Sequence, residues 1–166
     1  ALAVGPNAGD LSWWSISADD VAARACLFDD VYQFGSDGSF NNIMGSETWI
    51  EGWQGGADAC DTPVAPHNGS SDATYIYDSE ASAITVSGLG AHIGLPKVHN
   101  NGELTAPADA VSSISYSITE MTTDTMTLQV QYSGESTWQF KLVNVSTAAI
   151  TVPVDKVGNG PDGKLG

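Results

Sequence analysis

Apolar and polar residues alternate with a period of two along most of this chain, and the runs break at Gly, Asn and Asp. The pattern is clearest in the last third. Met126, Leu128, Val130 and Tyr132 fall on one side of an extended run over 125–132, and Thr127, Gln129 and Gln131 fall on the other. Residues 113–118 and 137–145 alternate in the same way, and short turns at Thr122-Thr123-Asp124 and Ser133-Gly134-Glu135 join the three runs. This predicts an antiparallel meander with one solvated face. Upstream, 28–34 and 39–44 flank Gly35-Ser36-Asp37-Gly38, residues that tolerate the positive φ of a tight reversal. A second hairpin is predicted from 75–77 and 83–87 around Asp78-Ser79-Glu80. Shorter strands are expected over 11–16 and 48–54, with a long Gly/Pro/Asp/Ser-rich loop over 55–72. Only DDVAARA, residues 19–25, predicts a helical turn, with Asp19 or Asp20 as its cap.

Eight or nine short strands at this spacing predict an all-β fold. Two architectures stay open: an antiparallel β-sandwich (jelly-roll-like) and a lipocalin-like up-and-down barrel. The alternation fades near Ser146 into VPVDKVGNGPDGKLG. The expected organisation is therefore a β domain over 1–146 and a linker or tail over 147–166, with neighbouring domains covalently attached. The chain starts at Ala1 with no signal peptide in view, which suggests a mature or excised fragment.

Composition narrows the partners. With 166 residues the chain is long enough to bury a core. No apolar run approaches the roughly 20 residues of a spanning helix, so no membrane insertion is expected. Twenty acids against five bases give a net charge of −15. The bases Arg24, Lys97, Lys141, Lys156 and Lys164 are scattered, which opposes nucleic acid and anionic polysaccharides as ligands and favours a soluble monomer. Cys26 and Cys60 are too few for a zinc site by themselves. A disulfide between them would contribute roughly 3–4 kcal/mol on the chain-entropy model and implies an oxidising, secreted or cell-surface location; the alternative is two buried, reduced thiols in a cytosolic protein.

Three stretches carry candidate chemistry. As a strand, ETWIEGWQ would project Glu47, Trp49, Glu51 and Trp53 from one face. Indole rings stack on the C–H faces of sugars and carboxylates accept from their hydroxyls. The alternative is that one Trp is core and the other covers a sheet edge. Trp13 and Trp14 point to opposite faces, so one (Trp14 in the expected site) is available as a platform; Trp138, in the regular meander, reads as core. GLGAHIGLPKVHNNGEL, residues 88–104, lacks the P-loop spacing. It presents a polar cluster, His92, Lys97, His99, Asn100, Asn101 and Glu103, whose amides, Lys and Glu are side-chain types that read hydroxyls, or else it is a solvated loop with a turn at Asn100-Asn101-Gly102. His67 joins the expected ligand site, while zinc on His67, His92 and His99 matches no metal spacing. Asp29-Asp30 is expected to pair with Arg24 or cap a turn. No cofactor is implied, with a structural calcium ion left open. Catalysis is disfavoured: Glu47 and Glu51, four apart on a strand, would lie about 13 Å apart, beyond the carboxyl spacing of glycosidases.

With these residues in view, the chain resembles β-modules attached to secreted laminarinase-like glycoside hydrolases and surface glycan-binding lipoproteins of marine polysaccharide-degrading bacteria. The resemblance rests on Trp13-Trp14, RACLFDDVYQFGSDGSF (24–40), ETWIEGWQG (47–55), CDTPVAPHNGS (60–70), GLGAHIGLPKVHNNGEL (88–104) and the MTLQVQ…WQFKL ending. The first hairpin and closing meander are also similar to lipocalin-like domains of that group. The resemblance implies non-catalytic adhesion to a neutral glycan such as a β-1,3-glucan (laminarin) or another algal polysaccharide, targeting an attached enzyme or receptor. It identifies no binding residues. The rival expectations are a barrel binding a small apolar ligand and a spacer domain.

Overall fold

Consecutive alternating strands pair with their sequence neighbours, and the computed structural model, which describes residues 1–132 and 136–145, follows that rule. The strands are β1 (Leu2–Gly5), β2 (Trp14–Ser15), β3 (Val31–Phe34), β4 (Ser39–Ile43), β5 (Thr48–Ile50), β6 (Ala59–Asp61), β7 (Ala73–Asp78), β8 (Ala83–Ser87), β9 (Val98–His99), β10 (Gly102–Glu103), β11 (Ser113–Met121), β12 (Thr125–Tyr132) and β13 (Ser136–Val143). Nine of them form one antiparallel sheet in the order β2-β1-β13-β12-β11-β8-β7-β4-β3. That is an all-β, up-and-down order: the larger strands follow one another across the sheet, and the N-terminal strand returns to pair with the last. The turn expected at 133–135 and the tail expected over 147–166 lie outside the described residues.

The inner face of this sheet is filled by the chain itself. Between β8 and β9 the segment 88–97 leaves the sheet and enters its concave side, where Ala91, Ile93 and Leu95 are at most 4% exposed. Its backbone cannot pair with a strand there, so buried side chains satisfy it. Asn42 donates to the His92 carbonyl at 2.7 Å and accepts the His92 N–H at 3.3 Å. The Tyr116 hydroxyl accepts the Ile93 N–H at 2.8 Å, and the Tyr32 hydroxyl accepts the Gly94 N–H at 3.0 Å. Gly94 has φ +81°, and a Cβ there would run into the Phe140 ring. Tyr32 lies on the edge strand β3 and Phe140 on β13, so the sheet curls until both reach one residue of the inserted segment.

The outer face departs from expectation at one end. Alternation places Thr127 and Gln129 on the solvated side of the meander, yet both are buried, as is Thr137. The loop between β1 and β2 reaches Gln129, which donates to the Ala8 carbonyl at 3.3 Å and to Gln139 at 2.9 Å, while the Thr127 hydroxyl donates to Glu120 at 3.3 Å. Gly5 permits the loop's close return, because a Cβ there would overlap the Asp10 carbonyl. Further departures are local. The expected strand over 11–16 is reduced to Trp14–Ser15, and the first part of 28–34 ends a short helix, α2 (Ala25–Phe28). The expected helical turn is α1 (Ala18–Ala23), capped by Ser17 rather than by Asp19 or Asp20: Ser17 Oγ accepts the Asp20 N–H, and Asp20 accepts the Ser17 N–H in return.

Two substitutions test the inserted segment. Gly94→Ala combines an unfavourable φ with overpacking against Phe140 and should cost about 2–5 kcal/mol. Gly45→Ala, at φ +63° with open space around its Cα, should cost about 1–2 kcal/mol from backbone strain alone. Urea titrations of the two variants check this ranking. Equal midpoints would refute the packing argument.

Candidate functional site

A cap of α1, α2 and the β5–β6 hairpin sits at one end of the sheet. The disulfide between Cys26 of α2 and Cys60 of β6 staples it, and Cys60 pairs in register with Trp49. The sequence expectation for 48–54 fails after Ile50. There the chain turns into a 3₁₀ turn, Gly52–Gln54, because Gln54 accepts the Glu51 N–H at 3.1 Å and Asp58 accepts the Gly52 N–H at 2.9 Å. Gly55, at φ +90°, closes that turn. Glu47, Trp49, Glu51 and Trp53 therefore share no strand face. Trp49 belongs to the core, 9% exposed, with the Arg24 guanidinium 4.5 Å above its ring. Glu47 is exposed in the preceding loop, and Trp53 is half-buried at the surface.

The polar loop is delivered by a wedge. The β11–β12 ladder pairs Ser117 with Gln129 and continues to Met121, but two residues earlier Ser115 has a different partner. Asn100, in the turn of the β9–β10 hairpin, donates to the Ser115 carbonyl and accepts its N–H, both at 2.8 Å. A side-chain amide thus stands in for a neighbouring strand and fixes the hairpin. A hydrogen bond from the Leu104 N–H to the Lys97 carbonyl, 2.8 Å, closes the same unit. Lys97 and Glu103 are thereby carried to Glu51 and β13.

There they form a continuous network. The Lys97 ammonium lies 3.1 Å from Glu51 Oε1 and 3.5 Å from Glu103 Oε2. Trp53 Nε1 donates to the other Glu51 oxygen at 3.1 Å, and Trp138 Nε1 donates to the other Glu103 oxygen at 2.8 Å, shared with the Tyr132 hydroxyl at 3.5 Å. Lys97 also lies 5.5 Å from the Trp138 ring centroid. Trp138 packs on Trp14 at 6.3 Å, and the Arg24 guanidinium lies over both Trp14 and Trp49. The structure thus joins Trp14, Trp49, Glu51, Trp53, Lys97 and Glu103 along the seam between cap and sheet. Trp138 and Tyr132 fall on the apolar face of the expected meander, and Trp138 is indeed 7% exposed, yet both donate into the network. Nothing local in the sequence marks that, because their partner Glu103 lies far away along the chain.

The other expected residues sit apart from this network or beneath it. Asn101 is exposed in the β9–β10 turn, its N–H on His99 Nδ1 at 3.3 Å. His67 is 3% exposed beneath Trp53, ring centroids 5.4 Å apart, with His92 at 6.0 Å behind it. His67 Nδ1 is buried without a hydrogen-bond partner, and His92 Nδ1 meets the Gly90 carbonyl at 2.9 Å. Burial pushes both imidazoles down to about 4. Arg24 rests on indoles, and none of the ion pairs among the described residues joins it to Asp29 or Asp30. Asp30 instead accepts from Thr48 at 2.7 Å, and burial raises its carboxyl to about 7. Among the described residues no three His, Cys, Asp or Glu side chains converge to hold a metal ion. No protein-family model, curated protein or solved structure matches the chain.

The buried titratable groups predict opposing pH effects. For His67 and His92 the folded pKa lies below the unfolded value, so the unfolded chain takes up protons first and stability is lost as pH falls from 6.5 towards 4. For Asp30 the folded pKa lies above the unfolded value, so its contribution is present below pH 3.8 and lost as pH rises towards 7. Each net proton changes stability by about 1.4 kcal/mol per pH unit. Because many acids titrate nearby, the comparison is between variants. The advantage of Asp30→Asn over the parent should grow from pH 4 to 7, and that of His92→Gln should grow in the opposite direction. Parallel stability curves for parent and variants would contradict the assignment.

Proposed function

We propose that the protein is a non-catalytic module that binds a neutral polysaccharide across the seam between cap and sheet. One observation carries this reading: a surface network in which two indole N–H groups and one ammonium hold both carboxylates in place. A carboxylate oxygen with one partner retains a lone pair for a hydroxyl donor, and Lys97, with three N–H groups, uses two on carboxylates. The network is pre-organised, so little side-chain freedom is lost when a polyol binds. Trp53 supplies a half-exposed ring beside it.

Hydrolysis fits the same residues less well. The two contacts to one nitrogen put oxygens of Glu51 and Glu103 within about 7 Å, inside the range that glycosidase carboxyl pairs span. The Lys97 ammonium occupies that gap, where a glycosidic bond would have to lie. An apolar ligand inside the curled sheet would compete with 88–97 for the same space. The sequence resemblance to glycan-binding modules points the same way and suggests a β-1,3-glucan as the first ligand to try. In this reading the module is secreted or surface-exposed, as its disulfide favours, and holds an attached enzyme or receptor on its substrate.

Affinity electrophoresis in gels containing neutral polysaccharides tests the proposal. The parent should be retarded by at least one of them, with little dependence on salt. Trp53→Ala should weaken binding about tenfold or more, and Lys97→Met should weaken it by a similar factor while leaving the thermal midpoint within a few degrees. Free migration of the parent in every neutral glycan would end the proposal.

A further inference from the structure

The seam also holds a cation lodged between two indoles, and its interpretation rests on the glycan-binding reading. Trp14 and Trp49 both turn a ring towards one point, and Arg24 fills it, its guanidinium carbon 5.7 Å from the first centroid and 4.5 Å from the second. In a chain of net charge −15, this cation lies over two indoles and in no close ion pair among the described residues, with Asp20 the carboxylate that feels its charge. Trp49 Nε1 is buried with no hydrogen-bond partner, a donor left without an acceptor beside the same gap. Arg24 itself is only half-buried, on a long side chain at the junction of α1 and α2, and it can retreat into water without breaking a hydrogen bond among those described.

We infer that the gap between Trp14 and Trp49 is a latent sugar subsite, and that the Arg24 guanidinium is its displaceable occupant. The two centroids lie no more than about 10 Å apart with the guanidinium over both rings, and a flat, saturated ring taking its place would need roughly 3.5–4 Å from each indole for carbon contact. A neutral pyranose would present C–H groups to both indoles and offer a hydroxyl oxygen to Trp49 Nε1. The ligand must first displace a cation–π contact, so the free protein binds more weakly than an unblocked slot would. Trp49 then reads as a binding residue covered in the free state. The disulfide serves the slot by holding α2, which follows Arg24, against the strand pair that carries Trp49.

The test uses the full chain and a neutral glucan shown to retard it. Arg24→Gln should raise affinity about three- to tenfold, and adding Trp14→Ala should remove the gain. In the parent, ring currents should shift the Arg24 side-chain protons upfield, and saturating glucan should return them towards free-arginine values. That measurement needs no variant to fold. A parent that binds glucan while its Arg24 signals stay put, or a folded Arg24→Gln variant with unchanged or weaker affinity, overturns the latent subsite and leaves the Trp53 network standing. Absence of binding to every neutral polysaccharide in parent and variant alike brings down both readings.

Discussion

A stretch of chain that is not a strand lies inside a curled sheet, and where backbone carbonyls do not reach, the amides of His92, Ile93 and Gly94 need partners that the sheet ladder cannot supply. Three side chains take on that work. Asn42 reproduces a strand edge for His92, and the hydroxyls of Tyr116 and Tyr32 take the next two N–H groups. A buried amide left unpaired costs about 1–3 kcal/mol, so these bonds decide whether 88–97 packs inside or is expelled. Burial keeps the two phenols protonated, pushing their pKa values upward, so both stay available as neutral hydroxyls across the physiological range. The segment's depth sets where it emerges, and its exit places Lys97 beside Glu51.

The seam is built from a different kind of contact. Close packing in the core, which takes in Cys26, Leu27 and Trp49 of the cap, holds cap and sheet together, and the seam adds the Lys97–Glu51 ion pair and the Arg24 guanidinium over Trp14 and Trp49. Such contacts are worth individually about 0.5–2 kcal/mol and exchange readily with water or hydroxyls. The cap keeps its own integrity through the disulfide, so the seam need not be strong to be well placed. A boundary that is ordered yet cheap to remake suits a ligand rich in hydroxyls. Buried His67, its Nδ1 without a hydrogen-bond partner and its ring edge-to-face with Trp53, ties that surface ring to the inserted segment through His92.

Period-two alternation reveals strands whose two faces meet different surroundings. β8 and β12 match their expected bounds, and the all-β class and the up-and-down option are legible for the same reason, whereas the disulfide is legible from the lone pair of cysteines. β1 escapes the pattern because Leu2–Gly5 is short, apolar throughout and paired with strands that do not announce it, one of them at the far end of the chain. The run from Thr48 misleads because alternation continues through Gly52–Gln54 although local hydrogen bonds of Glu51 and Gly52 bend the backbone away. The site is half legible. Residue types favour Glu51, Trp53, Lys97 and Glu103, and the structure joins them. Trp138 and Tyr132 enter only through long-range pairing, and nothing in the sequence shows that Trp14 and Trp49 share Arg24.

Charge placement separates the seam from the rest of the surface. The outward positions of the central strands β7, β8 and β11 carry Thr74, Ile76, Thr85, Ser87, Ser113, Ser115 and Ser117, with Thr85 and Ser115 hydroxyls 2.8 Å apart. Most acids fall in turns and at strand ends, where solvent dilutes their mutual repulsion. Of the three Lys and Arg side chains in the described residues, Arg24 and Lys97 are both in the seam. Their two positive charges lie beside Glu51, Glu103 and Asp20, with Asp58 bonded to Gly52 on the Trp53 turn, so the seam gathers cations without becoming neutral. An anionic chain approaching it would meet the long-range field of fifteen net negative charges without a basic patch to compensate. An uncharged polyol meets no such barrier. Under the glycan-binding proposal, that field opposes charged polymers at long range and leaves uncharged ones unopposed.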